Sequence, residues 1–484
     1  MKLKIRFLTF ILALLCFASA FVACDSESDN DVNQGEEGSD KVEEVHPTIQ
    51  KNNYNDSCYM HIFEGLQNRY TEESDNDVLT EALYSRQQRL YDYIGVELVG
   101  IQTGNLNVYG QAFTNAVKNK DGSVDVLVAS AYVGVAEFVG GGYLQTYNDL
   151  PHIDLDADYW RMDYMEGLMI DDDIYLGYSD FMIFSTHVIS FNKDMMSKYE
   201  DALDESLYDS VRNYRWTLDK MISIANLVYT DRTGDGKTED DTFGITGRQW
   251  IPFIGFLHAS DIQLVEENEK GQFTVSVYNE LNREKTTTLV DKLHELSKSE
   301  SAWFRFRIED TVEIPLTSGR TLLNVQASNS LKDNLNYDIE FGVLPFPMFD
   351  ENQKDVGYRS FNYDGYITFP SYMRNTNMSV ETVELLSFFS EPVQIAYYEK
   401  LLGKQVADVP DDRDMLELVW DGISSDFGLA YAAIDGTLNK NLYMLPSLTH
   451  ANTTDQVASY VQSYERTANK AIAKWLAQYR KDHP

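Results

Sequence analysis

The 484-residue sequence contains few cysteines, few cationic residues and only one long apolar run. Of its three cysteines, Cys16 and Cys24 lie in the N-terminal segment, which leaves Cys58 alone, so we expect no intramolecular disulfide. Lysine and arginine number 40 against 77 acidic residues, and the net charge of -37 repels phosphate backbones and argues against nucleic acid as a partner. No second apolar stretch is long enough to span a membrane.

Motifs that mark common enzyme active sites are also missing. The sequence has no HExxH, no GxSxG, no P-loop and no Rossmann glycine fingerprint, and its eight histidines lack metal-ligand spacing. A glycoside hydrolase is the exception, because it needs only two carboxylates at the right separation in space. The residues alone therefore leave an extracellular glycoside hydrolase open as an alternative to a binding function.

The N-terminus has the features of an export signal. Three cations in "MKLKIR" precede the apolar run "FLTFILALLCFASAFVA", which is typical of a secretory signal peptide. Cleavage after "ASA" would give a freely secreted protein. The stretch "FVAC" is similar to the lipobox of bacterial lipoproteins, in which the cysteine is lipidated, although Phe21 departs from the usual first residue. We predict a lipoprotein signal at 1–23 and a lipid anchor on Cys24, because two acyl chains hold a protein stably at a membrane.

The stretch after Cys24 is dense in negative charge and poor in apolar residues. It cannot bury enough apolar surface to fold, so 24–46 is predicted to be a disordered tether. The folded body then begins at about Pro47 and is long enough for two domains. These features place the body at the cell surface, anchored to the membrane and facing away from the cytoplasm.

The first part of the body alternates strand and helix patterns. The stretch "SDNDVLTEALYSRQQRLYDYIGVELVGI" predicts a helix capped by Asp75 or Asn76 and ended by Gly95, followed by a strand. The run "VDVLVAS" is apolar enough for a buried parallel strand. A second α/β unit, which contains a helix capped by Thr217, extends to about residue 340, and the remainder is mostly helical. This rhythm predicts open α/β sheets.

Four stretches follow one another along the chain: "VDVLVASAYVGVAEFVGGGYLQTYNDL", "DIYLGYSDFMIFSTHVISFNKDMMSKY", "YRWTLDKMISIANLVYTDRTGDGKTEDDTFGITG" and "FGVLPFP". In this order they resemble the extracellular solute-binding proteins (family 1) of ABC importers, the group that includes the maltose-binding protein. The segment "KNNYNDSCYMHIFEG" is only a loose match to that family's first strand.

The resemblance implies an α/β, two-lobe periplasmic-binding-protein fold of class II type. One lobe would comprise 47–187 and about 341–410, and the other 188–340 and about 411–484. Ligands of open α/β sheets bind beyond the carboxyl ends of the strands, and a cleft between lobes can close by hinge motion. The resemblance implies a monomeric protein without enzymatic activity. It would capture a small solute, most simply an oligosaccharide, and deliver it to an ABC permease. A peptide or another polar solute remains an alternative ligand.

A sugar site needs aromatic rings beside carboxylates and amides, because sugars present apolar C–H faces and hydroxyl edges. Several predicted strand ends offer this combination, although in a chain with 31 Tyr, 24 Phe and 6 Trp an aromatic residue is often simply core or surface. The candidate ligand-binding residues are Tyr132, Tyr178, Asp180, Phe181, Trp250, Asn329, Tyr363 and Asp364.

The acidic loop "DRTGDGKTEDD" resembles half of an EF-hand calcium loop. Its candidate ligands are Asp231, Thr233, Asp235, Lys237 through its carbonyl, and Asp241. Position twelve of the pattern should be a bidentate acid, but that residue is Thr242, and Asp241 comes one place early. Either the loop holds a structural calcium, or it is an acidic turn stabilised by Asx hydrogen bonds. No cofactor is expected to be required.

Overall fold

The structure is a computed structural model that describes residues 46, 48–63, 68–103, 106–130, 134–183, 186–248, 250–305, 314–361, 365–405, 408–434 and 454–482. The chain divides into Met1–Val45 and a compact body, His46–Pro484. Cys24, the predicted signal and all of the predicted tether except His46 lie outside the described residues. Among the helices of the described ranges, none is both long and apolar enough to cross a bilayer.

The described strands are β1 (Asp56–Ile62), β2 (Val96–Gln102), β3 (Val126–Ala129), β4 (Leu144–Gln145), β5 (His187–Asn192), β6 (Tyr229–Thr230), β7 (Thr242–Arg248), β8 (Val265–Glu267), β9 (Phe273–Val275), β10 (Ala302–Arg305), β11 (Thr321–Ala327), β12 (Phe341–Leu344), β13 (Ser360–Phe361), β14 (Tyr366–Pro370) and β15 (Ile423–Ser424).

The described α-helices are α1 (Val78–Ile94), α2 (Leu106–Asn119), α3 (Val135–Gly140), α4 (Met162–Glu166), α5 (Lys193–Met196), α6 (Leu207–Arg212), α7 (Leu218–Ala225), α8 (Trp250–Ala259), α9 (Arg283–Lys298), α10 (Leu331–Asn334), α11 (Thr376–Phe388), α12 (Glu391–Leu402), α13 (Pro410–Asp421), α14 (Phe427–Ala430) and α15 (Thr454–Asp482).

The first sheet has the strand order β2-β1-β3-β14-β4. Strands β2, β1 and β3 are parallel, whereas β14 runs antiparallel to both β3 and β4. Strand β1, which lies between β2 and β3, carries Cys58, which is 0 % exposed, and burial raises the pKa of its thiol. The near-continuous burial of β3 agrees with the apolar run that predicts a buried parallel strand.

The second sheet has the order β10-β7-β11-β5-β12, with β6 paired to β7. Strands β10, β7 and β11 are parallel, and β5 and β12 are antiparallel to their neighbours. Because β12 pairs with β5, Phe341–Leu344 belongs to the second sheet, although the predicted boundary at about 341 assigns it to the first lobe. The return to the first lobe therefore comes after Leu344, while the division into lobes otherwise remains a prediction.

Helix ends agree with the sequence patterns at two of three positions. Gly95 ends α1 with φ 66°, a left-handed conformation that glycine adopts without strain. Thr217 caps α7, because its hydroxyl accepts a hydrogen bond from the amide of Lys220. The prediction of Asp75 or Asn76 as the cap of α1 is wrong, since Asp77 accepts the amides of the first turn.

Helix α11 carries a buried carboxylate, Glu384, which bonds the helix to other segments of the body. Glu384 is 0 % exposed, and it accepts hydrogen bonds from the Tyr159 hydroxyl at 2.5 Å and the Trp160 indole N–H at 2.9 Å. The backbone amide of Asp154 also donates to it, at 3.2 Å. The Nε2 atom of the buried His46 lies 3.5 Å from the same carboxylate. One side chain thus joins α11 to two distant segments.

Candidate functional site

In the first sheet, the carboxyl ends of the parallel strands form one edge, to which the chain returns at β14. Tyr366, the first residue of β14, pairs with Ala129, the last residue of β3. The preceding residue, Gly365, approaches so closely that a Cβ there would lie 2.0 Å from the carbonyl oxygen of Ala129. Only glycine fits this contact without a shift of the backbone.

In the second sheet, the carboxyl edge is also the point of chain entry. His187 begins β5 and pairs with Ala327, the last residue of the parallel strand β11. The chain therefore enters both β14 and β5 beside the carboxyl edge of the sheet. In open α/β sheets this edge is where ligands bind, so the region between the two edges is the candidate site.

The segments that cross between the sheets are tied together by hydrogen bonds. The first crossing, which ends at Thr186, and the second, which follows Phe361, meet where the Thr186 hydroxyl donates to the carbonyl of Phe361 at 2.6 Å. Strand β13 pairs in parallel with β15, and the Ser424 hydroxyl donates to the carbonyl of Ser360 at 3.3 Å. A third crossing joins α12, packed on α1, to α13, packed on β12.

Arg161 connects the first-sheet side to the end of α13. Its backbone amide donates to the carbonyl of Tyr178, and its guanidinium donates to the carbonyls of Trp420 at 2.8 Å and Asp421 at 3.1 Å. A further bond reaches the carbonyl of Ile423 at 3.4 Å. The arginine is 5 % exposed. Sequence reasoning did not single out Arg161, because its partners lie far away along the chain.

Four of the eight candidate ligand residues have side chains that the structure does not describe. Trp250 begins α8, but its side chain is among those not described. Tyr132, Tyr363 and Asp364 lie outside the described residues. Their described neighbours Ala129 and Gly365 are the pair that meets at the carboxyl edge of the first sheet. A ligand-binding role for these four positions stays a prediction.

Tyr178 and Phe181 are packing residues in this structure. Both are 0 % exposed. The Tyr178 ring lies 4.8 Å from Tyr164 and 5.7 Å from Trp420, measured between ring centroids. The Arg86 guanidinium covers Phe181 at 4.8 Å from the ring centroid. An aromatic ring that stacks on a sugar must expose one face, which neither side chain does in this structure. Their ligand-binding role stays a prediction.

Asp180 and Asn329 are more accessible than the two buried rings. Asp180 is half-buried, and its backbone amide donates to the carbonyl of Tyr159 at 2.9 Å. Asn329 is exposed in a short 3-10 turn that follows β11 at the carboxyl edge. Of the described candidates, Asn329 is therefore the one that the fold leaves open to solvent beside the candidate site, and its contact with a ligand stays a prediction.

In the acidic loop, Asp231 forms the hydrogen bonds of an Asx turn. One of its oxygens accepts the amides of Thr233 at 3.2 Å and Gly234 at 2.6 Å. The other oxygen accepts the amide of Gly236 at 3.1 Å. The Thr233 hydroxyl donates to Asp235. These are the hydrogen bonds that the Asx alternative predicts.

Asp241 closes the other end of this loop. It is 0 % exposed, and it accepts the amides of Arg232 and Thr238, both at 2.9 Å. Lys237 extends away to donate to the carbonyl of Ser299. Over the described parts of the chain, no group of three His, Cys, Asp or Glu side chains is arranged to hold a metal. Calcium binding stays an untested prediction.

We expect Asp241→Asn to lower the melting temperature at neutral pH, because the amide group cannot accept both backbone N–H bonds. These N–H donors lower the pKa of Asp241 from its ordinary value of 3.8. A lowered carboxyl pKa contributes stability at neutral pH that is lost as the pH falls through the folded-state pKa. The difference between the two melting temperatures should therefore shrink below pH 3.8.

The matched control for this loop is Asp240→Asn, because Asp240 is exposed and its side chain has no hydrogen-bond or ion-pair partner among the described residues. Thermal melts of all three proteins with calcium and with a chelator complete the test. We expect calcium to leave the melting temperatures unchanged. A rise in the wild-type melting temperature with calcium, absent from Asp241→Asn, would instead support the calcium alternative.

Comparisons with known proteins identify the fold. No protein-family model matches the chain, and no curated protein sequence matches it. Solved structures do match over most of its length. The GacH receptor of Streptomyces glaucescens, solved unliganded and with acarbose, has a TM-score of 0.54 at 16% identity, covering 86% of this chain and 98% of the receptor.

Two further structures give the same result. The maltose-binding protein MalE of Listeria monocytogenes, solved with maltose, has a TM-score of 0.55 at 12% identity, covering 86% of this chain and 98% of MalE. Maltose-bound MalE3 of T. maritima has a TM-score of 0.53 at 12% identity and covers 85% and 100% of the two chains. The chain therefore has the two-lobe α/β fold of these substrate-binding proteins, and the fold prediction is confirmed.

Proposed function

We propose that this protein is an extracellular solute-binding protein that captures an oligosaccharide between its lobes and delivers it to an ABC permease. The observation that carries the proposal is that two crossings, bound to each other at Thr186 and Phe361, lie beside the carboxyl edges of two separate sheets. Such an arrangement allows the sheets to close on a ligand. The fold shared with sugar-bound structures supports an oligosaccharide as the ligand class.

The proposed mechanism contains no chemical step. A ligand that contacts both lobes binds the closed form more tightly than the open form, so it shifts the population toward closure. The permease would then recognise the closed form. The proposal includes a signal peptide and a lipid anchor at Cys24, which would hold the body at the outer face of the membrane. The protein would act as a monomer.

A thermal-shift screen of the purified protein tests the proposal. The panel contains neutral oligosaccharides, short peptides and polyols, the last serving as an osmotic control. A ligand at 100 times its dissociation constant should raise the free energy of unfolding by about 2.7 kcal/mol. Small-angle scattering with the same ligand should show a smaller radius of gyration, because closure brings the lobes together.

The sugar recovered after the assay decides between the remaining alternatives. An intact oligosaccharide that raises the melting temperature agrees with a binding protein. A cleaved oligosaccharide would overturn the proposal in favour of a glycoside hydrolase. A shift with peptides alone would keep the binding role and reject the sugar.

A further inference from the structure

A groove outside the candidate cleft runs between the β8–β9 hairpin and the second half of α15. It encloses about 760 Å³. The hairpin is fastened to the helix where the side-chain oxygen of Asn469 accepts the backbone amide of Val275 at 2.8 Å. Helix α15 buries Ala468, Ile472 and Leu476 in the body, and Leu476 also borders the groove, beside the exposed side of the helix.

The exposed side of α15 carries a surplus of positive charge. Arg466, Lys470 and Lys474 follow one another at four-residue spacing and therefore lie on one face of the helix. All three are exposed, and within the described ranges none of them has an ion-pair or hydrogen-bond partner. Arg480, in contrast, is bound by Asp171 through two nitrogens. Such a stripe is unexpected in a chain with 77 acidic and 40 basic residues.

Polar groups line the groove beside these cations. Arg466 and Lys470 belong to the lining together with the amides of Gln272, Gln462 and Asn469. Because the Asn469 oxygen is already bonded to Val275, its remaining capacity is that of an N–H donor. Amides suit hydroxyl groups, and a guanidinium beside an ammonium suits a carboxylate or sulfate.

We propose that this groove is a second binding site, which takes a short anionic oligosaccharide with its acidic groups at Arg466 and Lys470. The lining residues extend from position 462 to position 480 of α15. At 1.5 Å per residue this length is about 27 Å, enough for several sugar rings in a row. A short chain is favoured over a long polyanion, because the net charge of -37 repels distant negative charge.

One acidic residue limits where the anionic groups can sit. Glu465 also lines the groove, one residue from Arg466 and therefore turned away from the cationic stripe. An acidic sugar placed toward Glu465 would be repelled, so the site selects a ligand whose charges face Arg466 and Lys470. Neutral oligosaccharides lack this attraction and should bind only in the cleft. The inference thus stands independently of the proposed function.

Calorimetric titration of the purified protein with tetragalacturonate at low ionic strength tests the site. The double variant Arg466→Gln/Lys470→Gln should weaken binding by roughly tenfold or more, because charge-assisted hydrogen bonds are lost. The control Lys198→Gln/Lys298→Gln removes the same charge from exposed residues elsewhere. It should bind like the wild type. Raising the salt concentration should weaken binding of the wild type.

The comparison ligands separate this site from the cleft and from a peptide site. Maltotetraose should bind equally to the wild type and to the double variant, whatever its affinity. Absence of tetragalacturonate binding, or an equal loss in both double variants, would overturn the proposal. Oligoglutamate of equal charge that binds as tightly as tetragalacturonate would also overturn it, since the groove would then recognise acidic peptides.

Discussion

We expect Glu384→Ala to lower the free energy of unfolding by about 4 kcal/mol, the larger of two strong effects. The substitution removes the acceptor for the Tyr159 hydroxyl, the Trp160 indole and the Asp154 amide. Each buried donor left without an acceptor costs about 1–3 kcal/mol, and the missing side chain also leaves a cavity. Urea denaturation followed by circular dichroism measures the change.

Two further variants define what Glu384 contributes. Glu384→Gln keeps the shape and one good acceptor, so we expect a loss of about half that of alanine. Glu295→Ala removes an exposed glutamate from α9, and surface substitutions of this kind change stability by less than about 0.5 kcal/mol. Equal stability of Glu384→Ala and Glu295→Ala would contradict the network described for α11.

The second strong effect is expected for Arg161→Met, with a loss of about 3 kcal/mol in the free energy of unfolding. Methionine keeps the apolar stem of the side chain but leaves the carbonyls of Trp420 and Asp421 without their donor. Since Arg161 joins the first-sheet side to the end of α13, we also expect a weaker response of the radius of gyration to ligand. Urea denaturation and scattering measure the two changes separately.

The control for Arg161 is Arg283→Met, which makes the same chemical change at an exposed position of α9. That variant should keep both the stability and the ligand response of the wild type. Arg161→Met that loses stability but closes normally on ligand would restrict the arginine to a structural role. An unchanged free energy of unfolding would refute the proposed stabilising role of the bonds between Arg161 and the end of α13.

Local features were largely predictable from the sequence, because they depend on neighbouring residues. Gly95 and Thr217 act within one helical turn, and the pattern finds both. The cap of α1 was misplaced because Asp75, Asn76 and Asp77 can all accept the same amides, and only the register of the helix decides among them. Hydrophobic periodicity and capping rules locate the helices and strands, but they do not fix the terminal residue of each one.

Long-range features could not be predicted in the same way. Glu384 meets Trp160 across 224 positions, and Arg161 meets Trp420 across 259. A hint existed for the first, since two glutamates three residues apart are the charged residues of an otherwise uncharged helix that is largely buried. Charges placed on a buried face must be paired. Which residues pair with these charges is determined by the tertiary fold. The pairing of β12 with β5 is determined in the same way.

The candidate site was predictable in location more than in composition. Strand order and crossings place it at the carboxyl edges, as the resemblance implies. Burial separates the candidates, because Tyr178 and Phe181 lie in the core while Asn329 stays exposed. Whether an aromatic ring faces a core or a cleft depends on the packing around it, which a pattern along one strand does not contain.

The buried thiol of Cys58 also allows the opening of the first sheet to be followed by chemical labelling. It lies in the middle of β1, between β2 and β3, where a reagent reaches it only after those strands separate. No such thiol is described in the second sheet. The rate of labelling at Cys58 would therefore report the opening of one lobe alone, and slower labelling with ligand would show that binding between the lobes stabilises the interior of that lobe.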